Sequence, residues 1–496
     1  MRITNKMMTN NMMSNINRNK LNMTTLEQQY STGKKIQRPS EDPIIAVRAL
    51  KLRTNLSELE QYYGKNIPDA KSWLDVTESA LTTVNGILSS MNTYCVQGST
   101  DTLTANDRSA IVENLAQLKQ QIYQEGNTNY AGRYVFTGFK TDSSLIFTED
   151  TPNLSYDITE NFTGQQIQII NKTIGGYDLS DFVPTENFDE APKYVQSYRL
   201  QLSYDKLSAT KPNSIEYSIK DSNGNIVPQP PIPITRSCSL EDEGVYTPAS
   251  GEINYIHETG EIILGEEIYQ TLRTAVNINT TYTKSGFANG ELKPEHYFNC
   301  VMTDSKKPEQ DPIEFTKEAQ QIQYEVNFNQ KLTINTEGSA AFSHTVGRTI
   351  SDIVNAVNEV IAVENIISEV KNRLSDTSLT ESDKARYEKM KQQLDTELEL
   401  KKEVMQNAFE RGITVSSKEQ DRVNVAVADL GSRYVRLELT EDRLSSQKVD
   451  FEDLLSKNED ADIAETIIKY SAAETIYNAS LSAASKVVQS TLLDFL

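Results

Sequence analysis

With 496 residues the chain has room for roughly two to four domains and a core that needs neither staples nor bound metal. A net charge of −21 argues against nucleic acid as the main partner. The three cysteines, Cys95, Cys238 and Cys300, are odd in number, widely spaced and in no C-x-x-C pair, so neither a disulfide framework nor a zinc cluster is suggested.

No run of about 18 apolar residues marks a membrane span, and the start lacks the apolar stretch of ~7–15 residues found in a cleavable leader. A chain of this kind working outside the cell would be exported on some other signal. The charge is also unevenly placed. Residues 1–40 hold seven bases (Arg2, Lys6, Arg18, Lys20, Lys34, Lys35, Arg38) against Glu27, a local +6 that leaves −27 for the remainder. The two parts should attract one another, subject to screening by salt.

Over residues 1–32 there is no proline, and Met8, Met12, Ile16, Met23, Leu26 and Tyr30 follow a helical spacing that only Asn19 interrupts. This predicts an amphipathic helix with a narrow seam, stopped at Gly33. Asp42 is placed to cap a second helix whose first position is Pro43. Its seam runs through Ile45, Ala49, Leu52, Leu56, Leu59 and Tyr63, then Ala70, Trp73, Val84, Ile87 and Met91. Pro68 should kink or split it. A third helix is expected over 107–125, followed by a strand entering a turn over Gly132–Phe139.

From about 145 to 345 the texture becomes short runs of Val, Ile, Thr, Tyr and Phe between turn signals, such as Ser222 to Asn225 and Pro228 to Pro233, which reads as β structure. Helical spacing returns with Val346, Ile350, Ile353, Val357, Val360, Ile367 and Leu374. A break near 375–378 precedes a highly charged helix opened by Thr380 and Asp383 as a capping pair. From Val423 the spacing is the most regular in the chain: Val423, Val427, Leu430, Tyr434, Leu437, Glu441, Leu444, Lys448, Phe451 and Leu455. The last segment repeats it in Ile463, Ile467, Tyr470, Tyr477, Leu481, Ala484, Val488 and Phe495.

A seam of this kind needs a partner helix, because alone it leaves apolar side chains in water. Both extremities bear one, so each can pair only with the other or with neighbouring molecules. Such ends are expected to be poorly ordered in a free subunit and to fold as neighbours cover them, and head-to-tail contacts of this sort build rings or tubes.

Two stretches sharpen the reading: Met1 to Thr4, and Tyr30-Ser31-Thr32-Gly33-Lys34-Lys35-Ile36-Gln37-Arg38-Pro39-Ser40-Glu41-Asp42-Pro43. They resemble the N-terminal signature of flagellin-related proteins, in the version of the hook-associated branch that joins hook to filament rather than of flagellin itself. Ser72 to Leu81, Gly132 to Gly138, Leu430 to Glu438, Glu465 to Tyr477 and Thr491 to Leu496 resemble further segments of the same family. The likeness is close over 1–145 and 420–496 and loose over 316–345. It implies an extracellular axial subunit, exported unfolded, whose terminal helices line a tube while the middle faces outward. The partners it implies are hook-associated protein 1 on the hook side, flagellin on the filament side, an export chaperone on the C-terminal helix, and copies of itself in a ring.

Sites of chemistry are not marked. There is no H-E-x-x-H, since His257-Glu258 is followed by Thr259-Gly260, and there is no P-loop and no G-x-G-x-x-G after a strand. The 70 acidic residues read as a solvated surface rather than a glycosidase pair. Trp73, the single tryptophan, reads as core packing, and the methionine-rich start as a pliable contact surface.

The expected fold is α+β, with long N- and C-terminal helices packed as a coiled-coil or helical bundle around an inserted β-rich domain. Its parts are 1–42 (assembly helix and signature loop), 43–144 (rod), 145–345 (β-rich outer region), 346–456 (rod with an extra charged hairpin near 375–415) and 457–496 (assembly helix). The expected role is structural and not enzymatic, with no cofactor, metal, nucleic acid or membrane. Assembly would be carried by Met8, Met12, Ile16, Met23, Leu26, Tyr30, Arg38 and Pro39, with Ile463, Ile467, Tyr470, Tyr477, Leu481, Val488 and Phe495. A filament subunit is the neighbouring alternative, and an adhesin or enzyme housed in 145–345 the more distant one.

Overall fold

The computed structural model describes residues 5–100, 103–175, 191–221, 224–376 and 378–493. Nine α-helices occur among them: α1 Asn5–Thr32, α2 Pro43–Gln61, α3 Ile67–Gly98, α4 Ala105–Glu125, α5 Glu266–Leu272, α6 Gly338–Ala341, α7 His344–Leu374, α8 Glu381–Glu459 and α9 Ile463–Leu493. The strands begin with β1 Asn129–Tyr130, β2 Arg133–Tyr134, β3 Thr151–Phe162, β4 Gln168–Ile174, β5 Lys193–Gln201, β6 Ser214–Lys220, β7 Ile226–Pro233 and β8 Arg236–Cys238. They continue with β9 Ile253–Ile256, β10 Glu261–Leu264, β11 Asn277–Phe287, β12 Asn299–Asp304, β13 Ile313–Phe315, β14 Gln323–Asn327 and β15 Gln330–Thr333. This is the expected α+β arrangement, helical at both ends and β-rich between.

Two compact units form. The first comprises Met1–Ala70, Tyr324–Leu332 and Val435–Leu496, and the second Lys71–Gln323 with Thr333–Tyr434. In the first, α1 lies antiparallel on α9, and α2 is tied to the end of α8 by Lys448–Glu60 at 3.5 Å and by Asn458 donating to the Ile45 carbonyl at 3.0 Å. The predicted cap is present: Asp42 accepts from the amides of Ile44 and Ile45, and Pro43 is the first helical residue. The helix is interrupted beside Pro68, where a kink or split is expected. A π-turn over Tyr62–Asn66 precedes the proline, with the Ile67 amide reaching back to the Tyr62 carbonyl. The wider turn gives the proline ring room that an α-helical turn would deny it. The β14–β15 hairpin packs here too, through Asn66 Nδ2 to the Glu325 carbonyl at 2.8 Å and Arg443 to Gln330 at 3.0 Å.

In the second unit α3 runs antiparallel to the middle of α8. Asn92 donates to the Ile413 carbonyl and to Ser416, and Asn85 pairs with Asn424. Gly98 is required at this crossing, because a Cβ there would lie 2.2 Å from the Phe409 ring. The capping pair Thr380 and Asp383 opens α8, and Tyr387, Met390 and Leu394 close a hairpin onto Val363, Ile367 and Val370 of α7. Trp73 is buried as expected, with Tyr130 edge-on and the Arg133 guanidinium 5.0 Å above its ring. The strand expected over Gly132–Phe139 is only the two residues of β2; Ala131 and Gly132 take positive φ to close its hairpin on β1.

A five-stranded sheet of order β4-β5-β10-β9-β8 and a six-stranded sheet of order β13-β12-β3-β11-β6-β7 enclose an apolar core. All pairs are antiparallel except β8 with β9. Four of the eight residues of the edge strand β7 are prolines. His344, at the start of α7, sits among Tyr204, Tyr297 and Phe298 with ring centroids 4.7 to 5.3 Å away. Burial, aided by Arg348 and Lys119, lowers its pKa to about 3, and burial lowers His296 to about 4. Both imidazoles are thus neutral when folded, and their contribution is complete above the unfolded value near 6.5 and lost as the pH falls from there toward 3. Urea titrations from about pH 7 to pH 4 are expected to show His344→Phe losing less stability with acid than the parent, by up to ~1.4 kcal/mol per pH unit. Parallel curves would refute this.

Candidate functional site: the paired chain ends and their clasp

The loop after α1 can turn because Gly33 adopts φ +70°, and its carbonyl accepts the Ala461 amide at 2.8 Å. Lys35 follows in the opposite sense, donating its amide to the Glu459 carbonyl at 2.7 Å, so Lys34 and Asp460 face each other as a short antiparallel bridge. Side chains complete it. The Lys34 ammonium lies 2.5 Å from Asp460 and 3.3 Å from Glu459, and Arg53 of α2 reaches Glu459 at 2.7 Å. Lys35 Nζ donates to the Lys457 carbonyl. The residues between α8 and α9 are therefore clasped by the signature loop.

The hydrogen bond to Asp460 raises the lysine pKa of Lys34, and the same bond holds Asp460 below the ordinary carboxylate range. The basic start and acidic remainder thus meet at this point, in keeping with the charge asymmetry. Because the Lys34 and Asp460 side chains are 44% and 40% exposed, the pair is worth little by itself and the backbone bridge fixes the geometry. Gly33→Ala is expected to cost ~1–2 kcal/mol, all of it from the left-handed backbone, since a Cβ there meets nothing within 4 Å. Chemical denaturation of the variant measures it, and a loss well above that range would mean the loop cannot be held by backbone alone.

On α1 the shielded residues are Thr9, Met12, Ile16, Asn19, Met23, Leu26 and Gln29. Met12, Ile16, Met23 and Leu26 thus lie where the spacing placed them, while Met8 and Tyr30 are 48% and 50% exposed and differ from the expected seam. Asn19, the polar interruption, donates to Ser480 of α9 at 3.2 Å. Arg38 and Pro39 are exposed in the turn before Asp42.

On α9 the shielded residues are Thr466, Tyr470, Ala473, Tyr477, Ser480 and Ala484. Tyr470 and Tyr477 belong to the expected seam, but Ile463, Ile467 and Leu481 are 51%, 42% and 42% exposed. Besides the two tyrosines the helix turns Thr466, Ala473, Ser480 and Ala484 toward its partner, which lets two backbones approach closely, and leaves Ile463, Ile467 and Leu481 out. Ile468, at 70%, lies opposite the shielded face, and Ile476, at 55%, lies on its other flank. The side chain of Val488 and the whole of Phe495 lie outside the described residues. The two ends thus find a first partner in each other, which covers one face of each.

Sequence reasoning missed Arg53, Glu459, Asp460 and the Gly33 carbonyl. The charge asymmetry was their one signal.

Residues 3–141 match the bacterial flagellin N-terminal helical region, and residues 417–496 match the bacterial flagellin C-terminal helical region. Its two ends thus match the two helical regions of the flagellin family. Flagellar hook-associated protein 3 of Salmonella typhimurium is 32% identical over 179 residues, covering 36% of this chain and 55% of that protein. A flagellin of Clostridium tyrobutyricum is 34% identical over 126 residues, covering 25% and 33%. The chain therefore spans only about half, or less, of these two relatives. A crystal structure of Xanthomonas campestris FlgL overlaps 81% of this chain and 98% of its own at 12% identity, with a TM-score of 0.31, too loose an overlap to bear on the assignment. The clasp itself falls within the matched regions: Gly33 to Lys35 in the first, and Lys457 to Ala461 in the second.

Proposed function

We propose that this chain is a flagellin-family structural subunit joining hook to filament, and that its paired ends complete their packing on neighbouring copies in a ring or tube. The observation that carries the reading is that α9 is apolar on more than the face it gives to α1. Ile463, Ile467, Ile468, Ile476 and Leu481 form exposed apolar surface along one helix, more than a solitary soluble helix pair ordinarily leaves in water. The 32% identity to a flagellar hook-associated protein 3 supports a junction position. The partners proposed are further copies of the chain, hook-associated protein 1, flagellin and an export chaperone for the C-terminal helix, at an extracellular position on the flagellum.

The 34% identity to a flagellin favours a second reading, a filament subunit. Gold labelling of the tagged protein on purified flagella separates the two. A single band where hook meets filament is the expected result, label along the whole filament would transfer the protein to the second reading, and absence of label would remove both.

A further inference from the structure

Between the five-stranded sheet and helices α7 and α8 lies a cavity of about 260 Å3 that an assembly role leaves unused. Five basic and four acidic side chains line it, a formal +1 within a chain of −21.

The four acids are all engaged. Glu261 pairs with Arg199 and accepts from Thr259 at 2.9 Å and Tyr246 at 3.1 Å. Asp352 takes Arg199 at 2.6 Å and Arg411 at 3.6 Å. Asp205 faces Arg348 at 3.4 Å, and Glu258 accepts from Ser239 and the Leu240 amide. The bases are not matched in the same way. Lys172 Nζ stands 5.0 Å over the Tyr246 ring and feels the Glu261 carboxylate only at a distance, with no carboxylate within 4.0 Å among the described residues. Arg411 has a 3.3 Å bond to Gln168 besides its long pair with Asp352. Burial and the neighbouring Arg199 guanidinium depress its pKa. Arg348 is 7% exposed, and its Nε has no hydrogen-bond partner.

What remains unspent in the cavity is therefore cationic donor capacity. We propose that it binds a phosphate-sized oxyanion through Lys172, Arg348 and Arg411, with Arg199 and its two carboxylates as a fixed wall. Guanidinium groups suit such a ligand because their paired N–H donors match its oxygens. The volume lies just below the usual small-ligand range of roughly 300–1,000 Å3, which admits free phosphate or the phosphate ester of a small polyol and excludes a polymer.

Calorimetry on the full chain in low salt at about pH 7, with inorganic phosphate and with glycerol 3-phosphate, tests this. Saturable binding with Kd at or below about 1 mM is expected for at least one, weakened by added salt. Tighter binding of the ester would identify an ester ligand, and equal or tighter binding of inorganic phosphate the free anion. Lys172→Gln and Arg411→Gln should each lose about tenfold or more in affinity. Arg411→Gln disturbs a buried pair, so Lys172→Gln, whose ammonium carries no close ion pair among the described residues, decides the matter if the other fails to fold. No saturable binding of either compound, or undiminished affinity in a folded Lys172→Gln protein, would overturn the proposal.

Discussion

Truncation before Ile463 is expected to leave a soluble protein whose second unit is folded but which no longer enters flagella. The apolar core enclosed by the two sheets, and the hairpin of α7 with α8, belong to the second unit and draw nothing from α9. What is lost is the cover on Met12, Ile16, Met23 and Leu26, together with the apolar surface proposed to receive a neighbour. Near-native thermal unfolding of the second unit, combined with absence of the truncated protein from sheared and washed flagella, is the expected pair of results. Normal incorporation would refute the proposed role of the ends, and global unfolding would show that the second unit depends on them. A finer variant, Ile468→Lys with Ile476→Lys, charges only the exposed side of α9. It should leave the α1–α9 pair formed and still prevent incorporation.

Arg199→Ala is expected to lower the unfolding free energy by ~3–5 kcal/mol, because it leaves the buried Glu261 without its close counter-ion and Asp352 with only the longer 3.6 Å pair to Arg411. Urea denaturation near pH 7 measures the loss. Replacing all three by apolar residues of similar volume should recover most of it, since desolvating a buried ion pair costs about what the pairing returns. The pH dependence has a definite sign. Burial pushes Asp352 upward, but Arg199 pulls it further down, to a net value below the ordinary carboxylate range. The stability it contributes is present above the unfolded pKa near 3.8 and lost as the pH falls below that. In the alanine variant the same carboxylates lose that pull and prefer to be protonated, so the gap between the two proteins should narrow as the pH is lowered toward about 4. A gap that widens with acid would mean that Arg199 does not govern these carboxylates.

How much of this could be read from the sequence depends on how local the determining contacts are. The run from Val423 to Leu455 was legible because its period holds over many turns, and all ten of its residues are shielded in the structure. Asp42 with Pro43, and Thr380 with Asp383, were legible because a cap is settled within four residues. On α9 the same reasoning placed Tyr470, Tyr477 and Ala484 correctly but included the exposed Ile463, Ile467 and Leu481. Large apolar residues occur on both sides of that helix, so period alone could not show that Thr466, Ala473 and Ser480 would be chosen for close approach. The sheets were out of reach for another reason. β3 is paired on one side with β11, Thr159 opposite Thr281, and on the other with β12, Thr159 opposite Asn299, partners more than a hundred residues away. The clasp joins Lys34 to Asp460 across nearly the whole chain, and the charge imbalance hinted at an attraction without naming its atoms.

The prolines of β7 bear on how such molecules tolerate crowding. An outer sheet margin with free amide protons is an open invitation for a sibling's strand to zip on, and crowding makes that accident frequent. Pro228, Pro230, Pro231 and Pro233 have no such proton to offer. Half of the residues along this margin therefore cannot donate to an added strand, which disfavours edge-to-edge pairing of identical molecules.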